Sequence, residues 1–442
     1  MTITLPQYVS YALNKLNIHG FEAYVVGGCV RDTLMGREPN DWDVTTNALP
    51  EQIIAVFSDH RVIPTGIQHG TVTVLVEDKP LEITTYRVDG EYSDNRHPDS
   101  VSFTRSLCED LRRRDFTINA LAYHPQSGII DHFSGLADLD NQQIVCVGDP
   151  EQRFTEDALR ILRALRFSAQ FGFSIEKMTA KAIHRLAPLL RRIAVERVQS
   201  ELVKLLCGEH VRNVMLSFSD VIGVILPEIV PTIGLEQVNP YHFLSVYEHT
   251  VETIAAIEPE PSLRLTMLFH DSGKPACYTR DENGIDHFSG HAAVSAAIAE
   301  QAMSRLRFDR LTIDLVKKLI LHHDDDLLPV DYSLKRVLNR MRPELALDLV
   351  KIQKADVRGQ HPDKLERIDA LDSIAARMQE LIEEKACFSL QDLAVNGNDL
   401  VSIGYSSDSR LGDMLNTLLD QVMSGKLPNE RATLLRYAKE HK

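Results

Sequence analysis

Cysteine is scarce and scattered in this 442-residue chain: Cys29, Cys108, Cys146, Cys207, Cys277 and Cys387 stand far apart, with no CxxC pair. That spacing excludes zinc-ribbon sites and a disulfide framework, and it fits a reducing cytosol, so a cytoplasmic location is expected. Positive charge is also in deficit. Lys and Arg number 48 against 63 Asp and Glu, a formal net charge of −15. Indiscriminate nucleic-acid binding is thereby excluded, but a local basic groove is not, because the field that matters is local. Long apolar runs are missing too. No stretch approaches the length that spans a bilayer, and the opening MTITLPQYVS has neither the basic start nor the apolar core of a signal peptide. What remains is ordinary for a soluble protein, 44% hydrophobic and 25% charged, and long enough for two to four domains.

The most informative stretch runs from Val25 to Thr46. Val25 and Val26 read as the end of a buried strand, Gly27-Gly28 permit a tight turn, and a helix is expected to open at about Arg31-Asp32. A glycine turn at a helix start exposes unpaired N–H groups, a natural seat for phosphate. Thirteen residues after Gly28 comes Asp41-Trp42-Asp43. On a strand, residues i and i+2 share a face, so both carboxylates point one way. Two such carboxylates facing phosphate call for a cation between them, and Mg²⁺ suits hard oxygen ligands. Either half alone reads equally as a turn and two solvated aspartates. Together, the order GG…RD…DxD resembles the nucleotidyltransferase superfamily that includes tRNA CCA-adding enzymes and bacterial poly(A) polymerases.

Along the chain, residues 5–19 read as an amphipathic helix and Pro50 to Phe57 as another. Thr71–Val76 and Leu81–Tyr86 read as two strands with a turn at Asp78-Lys79, and Glu82 offers a third carboxylate. The polar segment Arg87 to Pro98 reads as a mobile surface loop. DLRRRDFTINA then places three arginines before Asp115 and Asn119; alone it reads as a solvated face, and beside a phosphate seat it could neutralise a triphosphate. These stretches are similar to the same family's TTYR strand end, its GEYxDxRHPDxV loop and its RRDFTINAL motif, and VGDP follows at Val147–Pro150. The chain departs from the family at Val145, where an arginine is usual. From Arg153 the pattern turns helical.

Glu156-Asp157-Ala158-Leu159-Arg160 reads as the start of a helix on which Asp157, Arg160, Arg163 and Arg166 recur every third residue. The spacing also suits a salt-laced amphipathic helix. As a recognition device it is sharper: an aspartate accepts from an exocyclic amino group and an arginine donates to a ring nitrogen. Cytosine and adenine both offer that pair, whereas U and G present the reverse. EDxxR lies where the family places its nucleotide-selecting motif, and Glu196-Arg197…Glu201-Leu202 is similar to its ERVxxEL motif, expected to brace the neck helices. The resemblance implies that Asp41 and Asp43 hold Mg²⁺, that Gly28, Arg31 and Arg114 hold the triphosphate, that Asp157 and Arg160 read the base, and that Arg163 and Arg166 support phosphate or ribose.

A second constellation follows. His249, His270-Asp271, His291, His322-His323 and Asp356 fall at helix ends or on helices in the order H…HD…H…H…D, which resembles the HD phosphohydrolase superfamily. The resemblance implies a transition metal held by His249, His270, Asp271, His323 and Asp356, with His323 fitting better than His322. Each histidine alone reads as a satisfied core residue. The last stretch, with NGNDL and LPN, is similar to the C-terminal end of CCA-adding enzymes that carry an HD domain, although an SSDS stretch replaces the usual glycine after Tyr405.

The resulting expectation is an α+β nucleotidyltransferase head with a small mixed sheet (1–147), an all-α neck (148–240), an HD helical domain (241–365) and a helical tail (366–442). The expected activity is template-independent addition of C, C and A to tRNA from CTP and ATP, with tRNA as partner, no membrane, and an oligomeric state that the sequence leaves open. An A-adding enzyme or poly(A) polymerase would share nearly every motif. The Arg87–Pro98 loop disfavours a CC-only enzyme, since the resembled CC-adders lack it. An HD phosphohydrolase with a nucleotide-sensing front half and a non-catalytic RNA-binding module are further alternatives, which the intact DxD, RRD and EDxxR sets argue against.

Overall fold

The computed structural model describes residues 3–90, 100–239, 243–407 and 409–442. They divide into two compact units, Met1–Pro227 and Glu228–Lys442. The dividing point lies inside the span expected for the neck.

The first unit begins with α1 (Gln7–Ile18) and β1 (Ala23–Val26), followed by α2 (Gly28–Leu34), β2 (Asp43–Thr46) and α3 (Pro50–Val56). Next come β3 (Arg61–Gly66), β4 (Thr71–Val76), β5 (Lys79–Thr85), β6 (Arg87–Asp89) and β7 (Val101–Phe103). After α4 (Leu107–Arg112) come β8 (Leu121–His124) and β9 (Gly128–Asp131). Seven of these strands form one sheet in the order β3-β4-β5-β2-β1-β8-β9. Only β2 and β5 run parallel; the other neighbours are antiparallel, so the sheet is mixed as the sequence implied. The alternation of TVTVLV buries Val72, Val74 and Val76 on one face against Val9, Leu13 and Leu16 of α1 and Ile53 of α3. Three strands of the sheet, β3, β8 and β9, were not read from the sequence.

Two expectations shift by a few residues. The β4–β5 turn falls at Glu77-Asp78, both at positive φ (52° and 60°), one residue before the expected Asp78-Lys79. Two consecutive positive φ values make the tight turn that matches strand twist. The loop expected from Arg87 to Pro98 starts as β6, which pairs with β7; positions 91–98 lie outside the described residues.

Beyond β9 the first unit is helical, with α5 (Gly135–Asp140), α6 (Pro150–Glu156), α7 (Leu159–Phe171), α8 (Lys177–Leu186) and α9 (Val195–Leu206). The single helix expected to start at Glu156 is two. Asp157 adopts an extended conformation (φ −136°, ψ 101°) between α6 and α7 and accepts from the Leu159 N–H at 3.0 Å. Aspartate competes well for free N–H groups at a helix start, which is why the break falls on it.

The second unit is built almost wholly from helices. Those that matter below are Val246–Ala256, Pro261–Phe269, His291–Arg305, Arg310–His322 and Pro343–Arg358. Their starts are written locally. Ser245 and Glu248 form a reciprocal capping box, and Glu260 caps the next helix through the Leu263 N–H at 2.9 Å. The tail has its own core around Leu400, Leu418 and Leu434. No helix among the described residues is long and apolar enough to cross a membrane.

Candidate functional site

β1 delivers the chain to Gly27, whose backbone (φ 81°, ψ −133°) suits glycine alone. A Cβ there would come within 2.7 Å of Arg114 Nη1, so the close approach of that guanidinium needs the glycine as well. α2 opens at Gly28, three residues earlier than expected, which puts Arg31 in its body rather than at its start. Arg31 is buried; it donates to the Asn119 side-chain oxygen and to Asp32 Oδ1 at 2.8 Å.

The two aspartates stand beside this turn. β2 starts at Asp43, and Asp41 precedes it, exposed. Both line one cavity of about 750 Å³ together with Gly28, Arg31, Arg114, Arg163 and Arg166. Across the parallel pair, Asp43 sits opposite Glu82. Burial, then the Asp41 and Glu82 carboxylates, push Asp43 up to about 6 against the pull of Arg114. Carboxylates gathered in this way are relieved by a bound cation, so the donor set fits a hard divalent ion. Burial holds the Arg114 guanidinium below its usual range despite Asp110 and Asp43.

The RRDFTIN segment supplies the scaffold. Buried Asp115 accepts from the Asn119 amide at 3.0 Å and from Arg163 Nε at 2.7 Å, and its carboxyl is held below the usual range, with burial outweighed by Arg163. Arg31, Asn119, Asp115 and Arg163 thus form one connected chain. Arg166 faces Glu201 at 3.3 Å from α9, and burial brings it down to about 10. Asp115 and Asn119 were noticed in the sequence without a role; the connection they make is long-range and left no local signal.

Asp157 and Arg160 do not line this cavity. Arg160, also buried, donates to Glu156 Oε2 at 2.8 Å and to the carbonyls of Arg153 and Arg113 at 3.1 and 2.9 Å. Asp157 accepts from Arg197 at 3.1 Å. The ERVxxEL residues therefore brace α7 and the break before it, through Arg197 to Asp157 and Glu201 to Arg166.

In the second unit the histidine and aspartate set converges. His249, His270 and Asp271 form one buried group whose donor atoms lie within 4.8 Å of one another, and Asp271, His291 and His323 form another. Asp356 joins the first through Oδ1, 2.9 Å from His249 Nε2. His291, present in the sequence pattern but not among the expected ligands, belongs here. His322 does not: it turns to Asp325 at 3.0 Å. All four clustered imidazoles use Nδ1 on a backbone carbonyl, of Gly359, Met267, Phe288 and Ile320, at 2.7–3.0 Å. A carbonyl only accepts, so Nδ1 carries the proton and Nε2 faces the centre. There Nε2 meets Nε2 at 3.3 Å (His249 and His270) and at 3.2 Å (His291 and His323). Against burial, Asp271 and Asp356 push His270 up to about 10, whereas burial lowers His323 to about 4. Inward-facing Nε2 atoms ringed by carboxylates favour positive charge at the centre, and the donor set fits a divalent metal.

The poly A polymerase head domain family matches residues 23–145, an RNA and SrmB- binding site of polymerase A matches 172–231, and a tRNA nucleotidyltransferase domain 2 family matches 281–438. A CCA-adding enzyme of Levilactobacillus brevis is 37% identical over 96% of this chain and 95% of its own length. That of Enterococcus faecalis is 33% identical over 97% and 95%. The crystal structure of Bacillus stearothermophilus CCA-adding enzyme in complex with CTP superposes with a TM-score of 0.78 at 28% identity, covering 99% of this chain and 98% of that one. With full-length relatives at these identities, the chain belongs to the family of CCA-adding enzymes.

Proposed function

We infer that this protein adds C, C and A to the 3′ end of tRNA from CTP and ATP. The observation that carries the reading is the convergence of Asp41 and Asp43 with Gly28, Arg31, Arg114, Arg163 and Arg166 on one cavity in a chain of this family. The A-only and poly(A) alternatives are not favoured, since the full-length relatives are CCA-adding enzymes.

Asp41 and Asp43 would hold Mg²⁺, and the ion would supply charge neutralisation for the triphosphate and polarisation of the tRNA 3′-hydroxyl, whose in-line attack on the α-phosphorus expels pyrophosphate. Arg31 and Arg114 meet the triphosphate oxygens by charge-assisted donation, and Gly27 lets Arg114 come close enough. Arg163 and Arg166, fixed by Asp115 and Glu201, support phosphate or ribose without having to be ordered by substrate. Asp157 and Arg160 read the base. Glu156 and Arg197 hold them in place, and both side chains are spent on protein partners outside the cavity lining, so reading a base requires them to leave those partners. The deciding experiment offers the purified protein tRNAs ending at the discriminator base, at C and at CC, with each labelled nucleotide separately. Incorporation of C, C and A in turn is expected; A alone, or a homopolymer of A, would overturn the reading.

A second reading rests on the inward-facing Nε2 atoms. His249, His270, Asp271 and Asp356, with His323, would hold a divalent transition metal, and His291 completes a second triad on Asp271. Held there, the metal would supply an activated water for phosphate esters or 2′,3′-cyclic ends. Lys274, 2.7 Å from Asp271 and on the same cavity as Asp271, His291 and His323, supplies a cation for the phosphate. Damaged tRNA ends would thereby be repaired before addition.

A further inference from the structure

Six cationic side chains line the cavity of Asp41 and Asp43: Arg31, Arg37, Arg114, Arg163, Arg166 and Lys204. Four are ion-paired within the protein, to Asp32, Asp110, Asp115 and Glu201. Among the described residues Arg37 and Lys204 form no ion pair, and both are exposed. The lining carries as many carboxylates as cations, so what sets Arg37 and Lys204 apart is that, among the described residues, neither is ion-paired and both stay open to an anion arriving from solvent. Glu38 and Glu209 line the same cavity without neutralising either.

Arg37 is also held in place. Its guanidinium lies 5.0 Å from the Phe171 ring centroid, and Phe171 stacks on Phe167 at 5.5 Å and 16°. The ring pair presents Arg37 with its donors unspent. The three supporting elements come from distant parts of the chain: the segment after α2, the last residue of α7, and the last turn of α9.

A nucleoside triphosphate is compact and is met by the buried, pre-paired arginines. The RNA substrate differs, because only its end enters while its backbone continues outward with one charge per nucleotide. We propose that Arg37 and Lys204 bind backbone phosphates of the tRNA acceptor strand as it leaves the cavity, with Phe171 positioning Arg37. This rests on reading the cavity as the site of nucleotidyl transfer.

Binding of tRNA lacking CCA, measured by fluorescence anisotropy across a salt series without nucleotide, tests it directly. R37A and K204A should each weaken binding several-fold and lower the slope of log affinity against log salt by about 0.7–0.9. The Michaelis constant for CTP should not change. F171L should lose part of the same affinity, while R37K should restore part of the salt slope. Wild-type affinity and slope in R37A and K204A would overturn the proposal. So would a raised Michaelis constant for CTP with tRNA binding intact, which would assign these cations to the triphosphate. If the wild type incorporates no nucleotide, the catalytic reading fails, and the anisotropy series still decides this one.

Discussion

At the residue scale, Asp41 and Asp43 are not interchangeable with ordinary surface carboxylates. Asp41→Ala or Asp43→Ala should abolish incorporation at all three tRNA ends while the fold survives, because neither side chain belongs to the core; wild-type turnover in either variant would refute the role. The raised Asp43 also makes a stability prediction. A carboxyl raised from 3.8 to about 6 favours the folded state while protonated, and that contribution is lost as pH rises from about 4 through 6. Asp43→Asn should therefore stabilise the metal-free protein at pH 7 and above, by at most about 3 kcal/mol, and have little effect below pH 4. Thermal melts in EDTA across pH 4–8 check the sign. Asp157→Ala or Arg160→Ala should let UTP or GTP compete, since a base contact of this kind is worth roughly 1–3 kcal/mol of discrimination. Slower variants that reject UTP and GTP as strictly as before would place selection elsewhere.

At the element scale, the break between α6 and α7 sets the geometry of Asp157 and Arg160. On one continuous helix Asp157 and Arg160 would ride a winding stripe. Because Asp157 instead lies in the break between the two helices, its carboxylate is fixed by the Leu159 N–H and by Arg197. The sequence carried the cue, an Asp two residues before a helical run, but the arginine and leucine pattern on both sides masked it. The Arg87–Pro98 segment makes a second prediction at this scale. Shortening it should spare C addition and cripple terminal A addition, as expected of a lever needed only when the pocket is resized between bases. Single-turnover rates on tRNAs ending at the discriminator base and at CC separate this from a scaffold role, which would lower both equally.

On the scale of the whole molecule, the two clusters lie in different compact units. His270→Ala with Asp271→Ala should remove bound transition metal, measured by elemental analysis, together with any metal-dependent hydrolysis of 2′,3′-cyclic ends, while CCA addition continues. A wild-type protein that carries no metal there and hydrolyses no such ester would end the phosphohydrolase reading and leave the polymerase reading intact.

The chemistry-bearing residues were legible in the sequence because they are written in short motifs whose geometry is local. A GG turn, a DxD beside a strand or an HD doublet at a helix end depends on neighbours a few residues away. Strands β3, β8 and β9 were not legible, since short strands gain their stability from partners far along the chain. Tertiary structure alone decided that Asn119 and Asp115 connect Arg31 to Arg163, that His291 joins the histidine and aspartate cluster while His322 turns away, and that Arg37 and Lys204 form no ion pair among the described residues. Each of these depends on which distant carboxylate or carbonyl arrives within hydrogen-bonding reach, and that is settled by packing, not by spacing along the chain.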